Sequence, residues 1–332
     1  MGAGATNTLL DGAAGRNEQA MTAEERQEYA DLIKAVNEEA RDNWDDLGWR
    51  REKAADIRTS IQTNFESNSL FRQYITYRNL GFEDRRIIRE TRGLKAFWLA
   101  RGGYIEESQL RTTEFELPRD MIGFHVSEQE DKLRINFAET AAELVRLGTL
   151  RLEAELNRRL IQLLQAAVPS GSPFYVSGAG LSQAAVNAAL SGVADMGGGA
   201  DGGPITLLGR QTMTGQITDF SGYGNETQEE IRRAGRLGVY RGANIQTVTN
   251  YLDDDNVSYL PANELWVLAG NAGEFATFGD LLFKESSESL NWYWHYVARR
   301  DVGGMIYRPW VVRRIVDTSI PATANNQYPP NF

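Results

Sequence analysis

From residue 134 to residue 168 the sequence keeps a single helical register: Phe137, Ala141, Leu144, Gly148, Leu152, Leu156, Leu160, Leu163 and Ala167 follow one another in steps of three or four. That spacing sets all of them on one side of an α-helix. The opposite side is charged, and Arg151, Glu155 and Arg159 are spaced for i,i+4 ion pairs. At 1.5 Å per residue the run makes a rod of about 50 Å, roughly three times the length of an average helix. A rod of that length crosses a whole domain, so the rest of the chain must be laid along it. Pro169-Ser-Gly-Ser-Pro173 ends it. Gly148, near its centre, costs about 1 kcal/mol relative to Ala; it reads as a kink, a close packing point or tolerated drift of the sequence.

Ahead of the rod the pattern changes twice. Thr22-Ala-Glu-Glu25 has the form of a capping box, and Tyr29, Leu32, Ile33, Val36 and Ala40 follow at helical spacing, which predicts an amphipathic helix over 23–42. Trp49 to about Phe65 reads as a second helix, with weaker helix running on towards Arg78. Charge is unevenly spread: residues 1–66 carry 14 acidic against 8 basic side chains, and residues 67–103 carry 3 against 8, so an acidic block adjoins a basic one. From Leu94 to about Val126 the signal is strand. Leu94, Ala96, Phe97, Trp98 and Leu99 precede a turn at Arg101-Gly-Gly103. A run from Tyr104 to Leu110 and alternation over residues 112–117 follow, then a break at Pro118 and a resumption over 121–125. This predicts a long antiparallel excursion built of hairpins.

After the rod the elements are shorter. A helix is expected over 181–194, a glycine-rich loop over 197–203, and a buried strand at 205–208. A short helix over 226–234 and strands within 237–248 and at 265–269 follow. Leu290 to Ala298 is expected to pair with Met305-Ile-Tyr307 across a turn at Asp301-Val-Gly-Gly304, and 318–332, rich in Pro and Asn, reads as an extended tail. There are no internal repeats.

No catalytic constellation emerges. Cysteine is absent, which removes thiolate nucleophiles, thiolate metal ligands and disulfides. Gly178-Ala-Gly180 and the 197–203 run do not open a helix as G-x-G-x-x-G, and there is no G-x-x-x-x-G-K-[ST]. Asp253-Asp-Asp255 lacks the alternating oxygen ligands of a calcium loop, and no G-x-S-x-G elbow is present. Glu153 and Glu155 lie on a helix surface. His125 and His295, the only histidines, fall in strand-like contexts and read as structural. A net charge of −10 and a pI near 5.0 argue against a module that holds nucleic acid through phosphate contacts. No apolar run is long enough to cross a membrane, and the N-terminus lacks a signal-peptide pattern. No metal or cofactor is expected.

The order of elements is more specific than any motif. A charged helical arm, a long β-excursion, a very long helix, a small α/β unit and paired late strands together resemble the Hong Kong 97-type capsid fold of tailed phages and herpesvirus shells. Four segments add likeness to a group of phage major capsid proteins: Gly203-Pro-Ile-Thr-Leu-Leu-Gly-Arg210, Gly238-Val-Tyr-Arg-Gly-Ala-Asn-Ile245, Leu260-Pro-Ala-Asn-Glu-Leu-Trp-Val-Leu268 and Tyr296-Val-Ala-Arg-Arg-Asp-Val-Gly-Gly304. The likeness covers roughly residues 85–317. It implies an α+β fold with an acidic N-terminal arm (1–84), an E-loop region (85–133) and a P-domain (134–195) containing a spine helix over 134–168. An A-domain (196–284), returning P-domain strands (285–317) and an extended tail (318–332) complete it.

The implied function is that of a major capsid protein, not an enzyme. It would self-assemble as hexamers and pentamers into an icosahedral shell around double-stranded DNA, held only non-specifically. The implied location is the virion capsid, assembled in the bacterial cytoplasm with no membrane involved. A scaffolding protein and a portal are implied partners during assembly, and a decoration protein is a further one. Many relatives carry a long cleavable N-terminal scaffolding domain, whereas about 80 residues precede the E-loop here. A separate scaffolding protein, or an arm retained in the shell, is therefore expected. Some relatives weld subunits through a Lys–Asn isopeptide bond; Lys95 is near the corresponding region, but the chain has only five lysines. An encapsulin-type nanocompartment shell shares the fold and is the alternative. An enzyme with an unrecognised site is a third reading.

Two sets of intersubunit contacts are expected. The acidic arm of one subunit would dock on the basic stretch of its neighbour through Arg72, Arg78, Arg85, Arg86, Arg89, Arg92 and Arg101. Phe97, Trp98, Leu99 and Tyr104, if they lie on a projecting loop, need cover from a neighbour; otherwise they are intrachain core.

Overall fold

A computed structural model of the chain describes residues 23–68, 74–92, 109–197, 203–234, 237–248, 260–288 and 292–322. Its axis is helix α4 (Phe137–Ala167), preceded by two N-terminal helices α1 (Ala23–Asn43) and α2 (Leu47–Asn68) and by a short helix α3 (Glu130–Ile135) that breaks at Asn136. Asn136 makes no capping bond with its side chain. The start of α4 is instead served from a distance, where Ala138 N–H donates to Asn37 Oδ1 of α1 at 2.8 Å. That bond satisfies one of the donors a helix leaves unpaired at its first turn.

Two sheets are built along this rod. The first runs in the order β1 (Thr76–Leu80), β10 (Gly273–Glu288), β11 (Tyr293–Ile306), β4 (Asp120–Gln129), with β1 parallel to β10 and the other neighbours antiparallel. On β11 the side chains alternate: Trp294, Tyr296, Ala298 and Arg300 are buried, and Tyr293, Val297 and Arg299 are exposed. Over this stretch one face of the sheet therefore packs against α4 and α2 while the other is open; at residues 273–278 β10 is buried on both faces.

The second sheet has six strands in the order β5 (Tyr175–Gly178), β12 (Val312–Asp317), β9 (Glu264–Ala269), β6 (Ile205–Gly209), β8 (Ala243–Thr247), β7 (Val239–Tyr240). Helices α5 (Gln183–Asp195) and α6 (Gln211–Thr218) pack on it, and α7 (Asn225–Ala234) completes this half. Every residue of β9 is buried, as a central strand covered on both faces requires. Asp317 ends β12 beside Gly178 of the edge strand β5. Its carboxylate accepts from Gly180 N–H at 2.8 Å, from Ser319 N–H and hydroxyl at 2.9 and 2.6 Å, and from the Gln216 amide at 3.1 Å.

The long helix and the short elements at 181–194, 205–208, 226–234 and 265–269 occur close to where the residue pattern puts them. Other expectations change. The helix expected to run towards Arg78 gives way to strand β1, whose backbone completes the edge of β10. Asp301-Val-Gly-Gly304 is no turn but lies inside β11, paired with β10 on one side and, through Asp301 and Val302, with β4 on the other. Gly303 is there for closeness: a Cβ at that position would stand 2.4 Å from the Pro118 carbonyl oxygen. The chain reverses instead between β10 and β11, where Trp292 takes φ 55°.

Strand membership also differs from the expected layout. Residues 273–284, expected with the A-domain, belong to the long strand β10 of the four-stranded sheet. Residues 312–317, expected beside the spine with the rest of 285–317, join the six-stranded sheet. On α4, Glu155 pairs with Arg158 at 3.6 Å, and Arg159 reaches Asp120 of β4 at 2.7 Å.

Candidate assembly surface

Between β1 and β4, both strands of the first sheet, the chain forms a separate two-stranded ribbon. Strands β2 (Ile87–Arg92) and β3 (Arg111–Glu116) pair antiparallel, Ile87 opposite Glu116 and Arg92 opposite Arg111. Residues 93–108, which connect the two strands, lie outside the described residues. Four consecutive residues of β3, Arg111 to Glu114, are exposed, whereas on β2 Ile88 and Glu90 are buried between the exposed Ile87 and Arg89. An isolated two-stranded ribbon is marginal in water, and this one is held at its root.

The root has its own small core, Ile88, Leu117, Ala276 and Phe278, separate from the main core, with Phe115 stacked on Tyr307 at 6.4 Å between centroids. Charge pairing does the rest. Glu274, on β10 and only 3% exposed, takes both Arg86 Nη2 at 2.9 Å and Arg78 Nε at 2.9 Å. The bond to Glu274 holds the Arg86 guanidinium above its ordinary pKa. Glu90, also buried, accepts from Arg308 at 2.5 Å, and Arg89 pairs across the ribbon with Glu114 at 2.8 Å.

The basic residues expected to meet a neighbour therefore divide. Arg78, Arg86 and Arg89 are engaged within their own chain. Arg85 is exposed, and none of its contacts is among those of the described residues. Arg92 contributes its backbone to β2, and its side chain lies outside what is described. Arg72, Phe97, Trp98, Leu99, Arg101 and Tyr104 also lie outside the described residues.

The acidic helices are likewise built into their own subunit. Trp44 packs edge-on against Trp49 and, at 5.9 Å, against Trp294, and Trp49 lies tilted against Phe137 at 5.3 Å. Their ring N–H groups donate to Glu130 at 2.8 Å and Glu39 at 3.0 Å, and the Arg50 guanidinium lies 4.6 Å over Trp294. Glu285 faces Arg50 and Arg51, yet burial leaves its carboxyl above the usual range. Beside these helices a cleft of about 370 Å³ opens between α2, β4 and α4, lined by Ile57, Phe124, Val126, Leu144, Leu147 and Gly148.

Sequence reasoning missed Glu274, because β10 is buried on both faces through residue 278 and shows no period-two alternation. It named His125 and His295 separately, and the fold brings them together on the open face of the four-stranded sheet, 3.1 Å apart. Among the described residues there is no group of three or more His, Asp or Glu that could hold a metal ion, and no helix long and apolar enough to cross a membrane.

Comparison with known proteins gives one family. The model described as "SPbeta prophage-derived putative capsid protein YonB" matches residues 55–281. No curated protein matches the chain in sequence. Among solved structures, that of Mycobacterium phage Bobi is similar at a TM-score of 0.56 and 15% identity, over 75% of this chain and 90% of that one. The asymmetric unit of the bacteriophage PhiM1 mature capsid gives 0.54 and 14%, over 76% and 88%. The head structure of Helicobacter pylori bacteriophage KHP40 gives 0.55 and 12%, over 76% and 91%. At such identities the likeness is one of fold.

Proposed function

This chain belongs to the SPbeta prophage-derived capsid protein family, and from that premise we propose how it builds a wall. It is a major capsid protein with the Hong Kong 97-type α+β fold. The prophage family favours the viral shell over the nanocompartment reading. In our reading the subunits close into an icosahedral head of hexamers and pentamers around double-stranded DNA. A scaffolding protein and a portal guide assembly in the host cytoplasm, and a decoration protein is a further partner on the finished shell. The wall itself catalyses nothing.

The observation that carries this reading is the β2–β3 ribbon, whose second strand is exposed over Arg111 to Glu114 and whose root is anchored by a core and two buried carboxylates. Beyond it the sequence places Leu94, Phe97, Trp98, Leu99, Tyr104 and Ile105 within fifteen residues. If these groups are carried out on the ribbon they need cover, and in a shell a neighbouring subunit supplies it. The cleft beside β4 is an apolar surface of suitable character to receive such side chains. Arg72, Arg85, Arg92 and Arg101 remain the basic groups proposed to meet a neighbour's acidic surface.

Sedimentation and electron microscopy of the purified chain, alone and with its scaffolding protein, test the proposal. Closed particles are expected from the full chain, and their loss on joining residues 92 and 109 through a short Gly-Ser turn. Particles of unchanged yield and stability from the shortened chain would refute the hairpin's role.

A further inference from the structure

The chain's only two histidines lie 170 positions apart and meet on the open face of the four-stranded sheet. His125 is on β4 and His295 on the neighbouring β11. The register pairs Val297 with His125 and His295 with Ser127, which makes the two rings diagonal neighbours. His125 Nε2 and His295 Nδ1 are 3.1 Å apart, with ring centroids at 5.2 Å and planes at 36°.

A single N–H···N hydrogen bond accounts for that separation, but so does a second arrangement. Two imidazole nitrogens each about 2.0–2.1 Å from one metal ion lie about 2.9 Å apart at a right angle and about 3.3 Å apart at the tetrahedral angle. The observed spacing falls between these, on rings set by the backbone rather than by a mobile loop. Neutral imidazole is the preferred side-chain ligand for late first-row divalent cations.

We propose that His125 and His295 form a two-imidazole site for a divalent cation of the nickel, copper or zinc class. On binding, the proton of the His–His bond moves to the ring nitrogen turned away from the metal, so both rings remain neutral and no electron is transferred. Among the described residues no third ligand completes the set; water, or a group from another subunit, takes the other positions. Lys284 and Arg299 are exposed on the same face and raise the cost of a dication there, while Ser127 and Ser286 flank His295. A bound ion would join β4, the strand that returns from the hairpin, to the centre of the sheet.

The test uses the full-length chain without a histidine tag. Ni²⁺ is titrated calorimetrically, and Cu²⁺ is followed by electron paramagnetic resonance. We expect one ion per chain, a signature of two equatorial nitrogens, and a rise in Tm with Ni²⁺. His125→Asn and His295→Asn should each weaken binding at least tenfold and abolish the Tm rise, whereas Lys284→Gln should tighten it. Because His125 is exposed, His125→Asn is expected to fold, and circular dichroism checks this. Absence of binding by the wild-type chain, a one-nitrogen signature, or an affinity unchanged in His125→Asn would overturn the proposal.

Discussion

At position 148 the lack of a side chain decides how closely β4 approaches the spine. A Cβ there would lie 2.8 Å from Phe124 Cζ. The ring is half-buried at the edge of a cleft, so it can yield. Gly148→Ala gains about 1 kcal/mol of helix propensity against that crowding, and its net effect on unfolding free energy should stay within about 1 kcal/mol. Gly148→Leu should cost about 1–3 kcal/mol by overpacking, with much of the loss recovered in Gly148→Leu/Phe124→Ala. A full cost in the double variant would show that the strain lies elsewhere. Gly303 is the contrasting case. Its would-be Cβ meets the Pro118 carbonyl, which is backbone, so Gly303→Ala should be clearly worse than Gly148→Ala in the same denaturation assay.

Two carboxyls should shape the acid limb of stability in opposite directions. Burial pushes Asp317 up, but bonds from Ser319, Gly180 and Gln216 outweigh it and hold the carboxyl below its ordinary value. A depressed folded value means the unfolded chain binds the proton more readily. Its contribution is therefore full above the ordinary aspartate range and is lost as pH falls through the folded value. Glu153, half-buried on α4, is raised by burial. It favours the folded state below the ordinary glutamate range, and that advantage disappears as pH rises through its folded value. Urea unfolding across pH 3–7 should show Glu153→Gln more stable than wild type near neutrality, and Asp317→Asn less stable with a flatter acid limb. A destabilised Glu153→Gln at pH 7 would contradict the assignment.

Among the elements, the hairpin is the one whose position depends most on few groups. Glu274 holds Arg78 and Arg86 together, and bonds to charged groups are worth roughly 1.5–3 kcal/mol. Because both arginines are partly exposed, Glu274→Gln should cost about 2 kcal/mol and raise hydrogen exchange selectively across β2 and β3. Uniform loss of protection over the whole chain would mean the carboxylate supports the sheet rather than the hairpin root. How much was legible in the sequence follows the same physics. The spine was plain because an amphipathic helix carries its period in local spacing. β10 was hidden because burial on both faces erases alternation, and Gly303 read as a turn because close approach and chain reversal both select glycine. The partners of Arg78 and Arg86 were out of reach, since Glu274 lies 188 positions from Arg86 and only the fold connects them.

At the scale of the whole molecule, the chain binds the helices of 23–68 into its own core and holds the β2–β3 ribbon by its root. Aromatic packing of Trp44 and Trp49 against Phe137 and Trp294 joins α1 and α2 to the spine and to β11. The helices of 23–68 are thus part of the subunit's body, and the hairpin is the part we propose to reach a neighbour. A cryo-electron microscopy reconstruction of assembled particles measures this most directly. The account predicts the 87–116 hairpin lying across an adjacent subunit, with the apolar side chains of its tip buried there and residues 23–68 remaining on their own spine. A hairpin folded back on its own subunit, with the ribbon absent from every intersubunit contact, would contradict it.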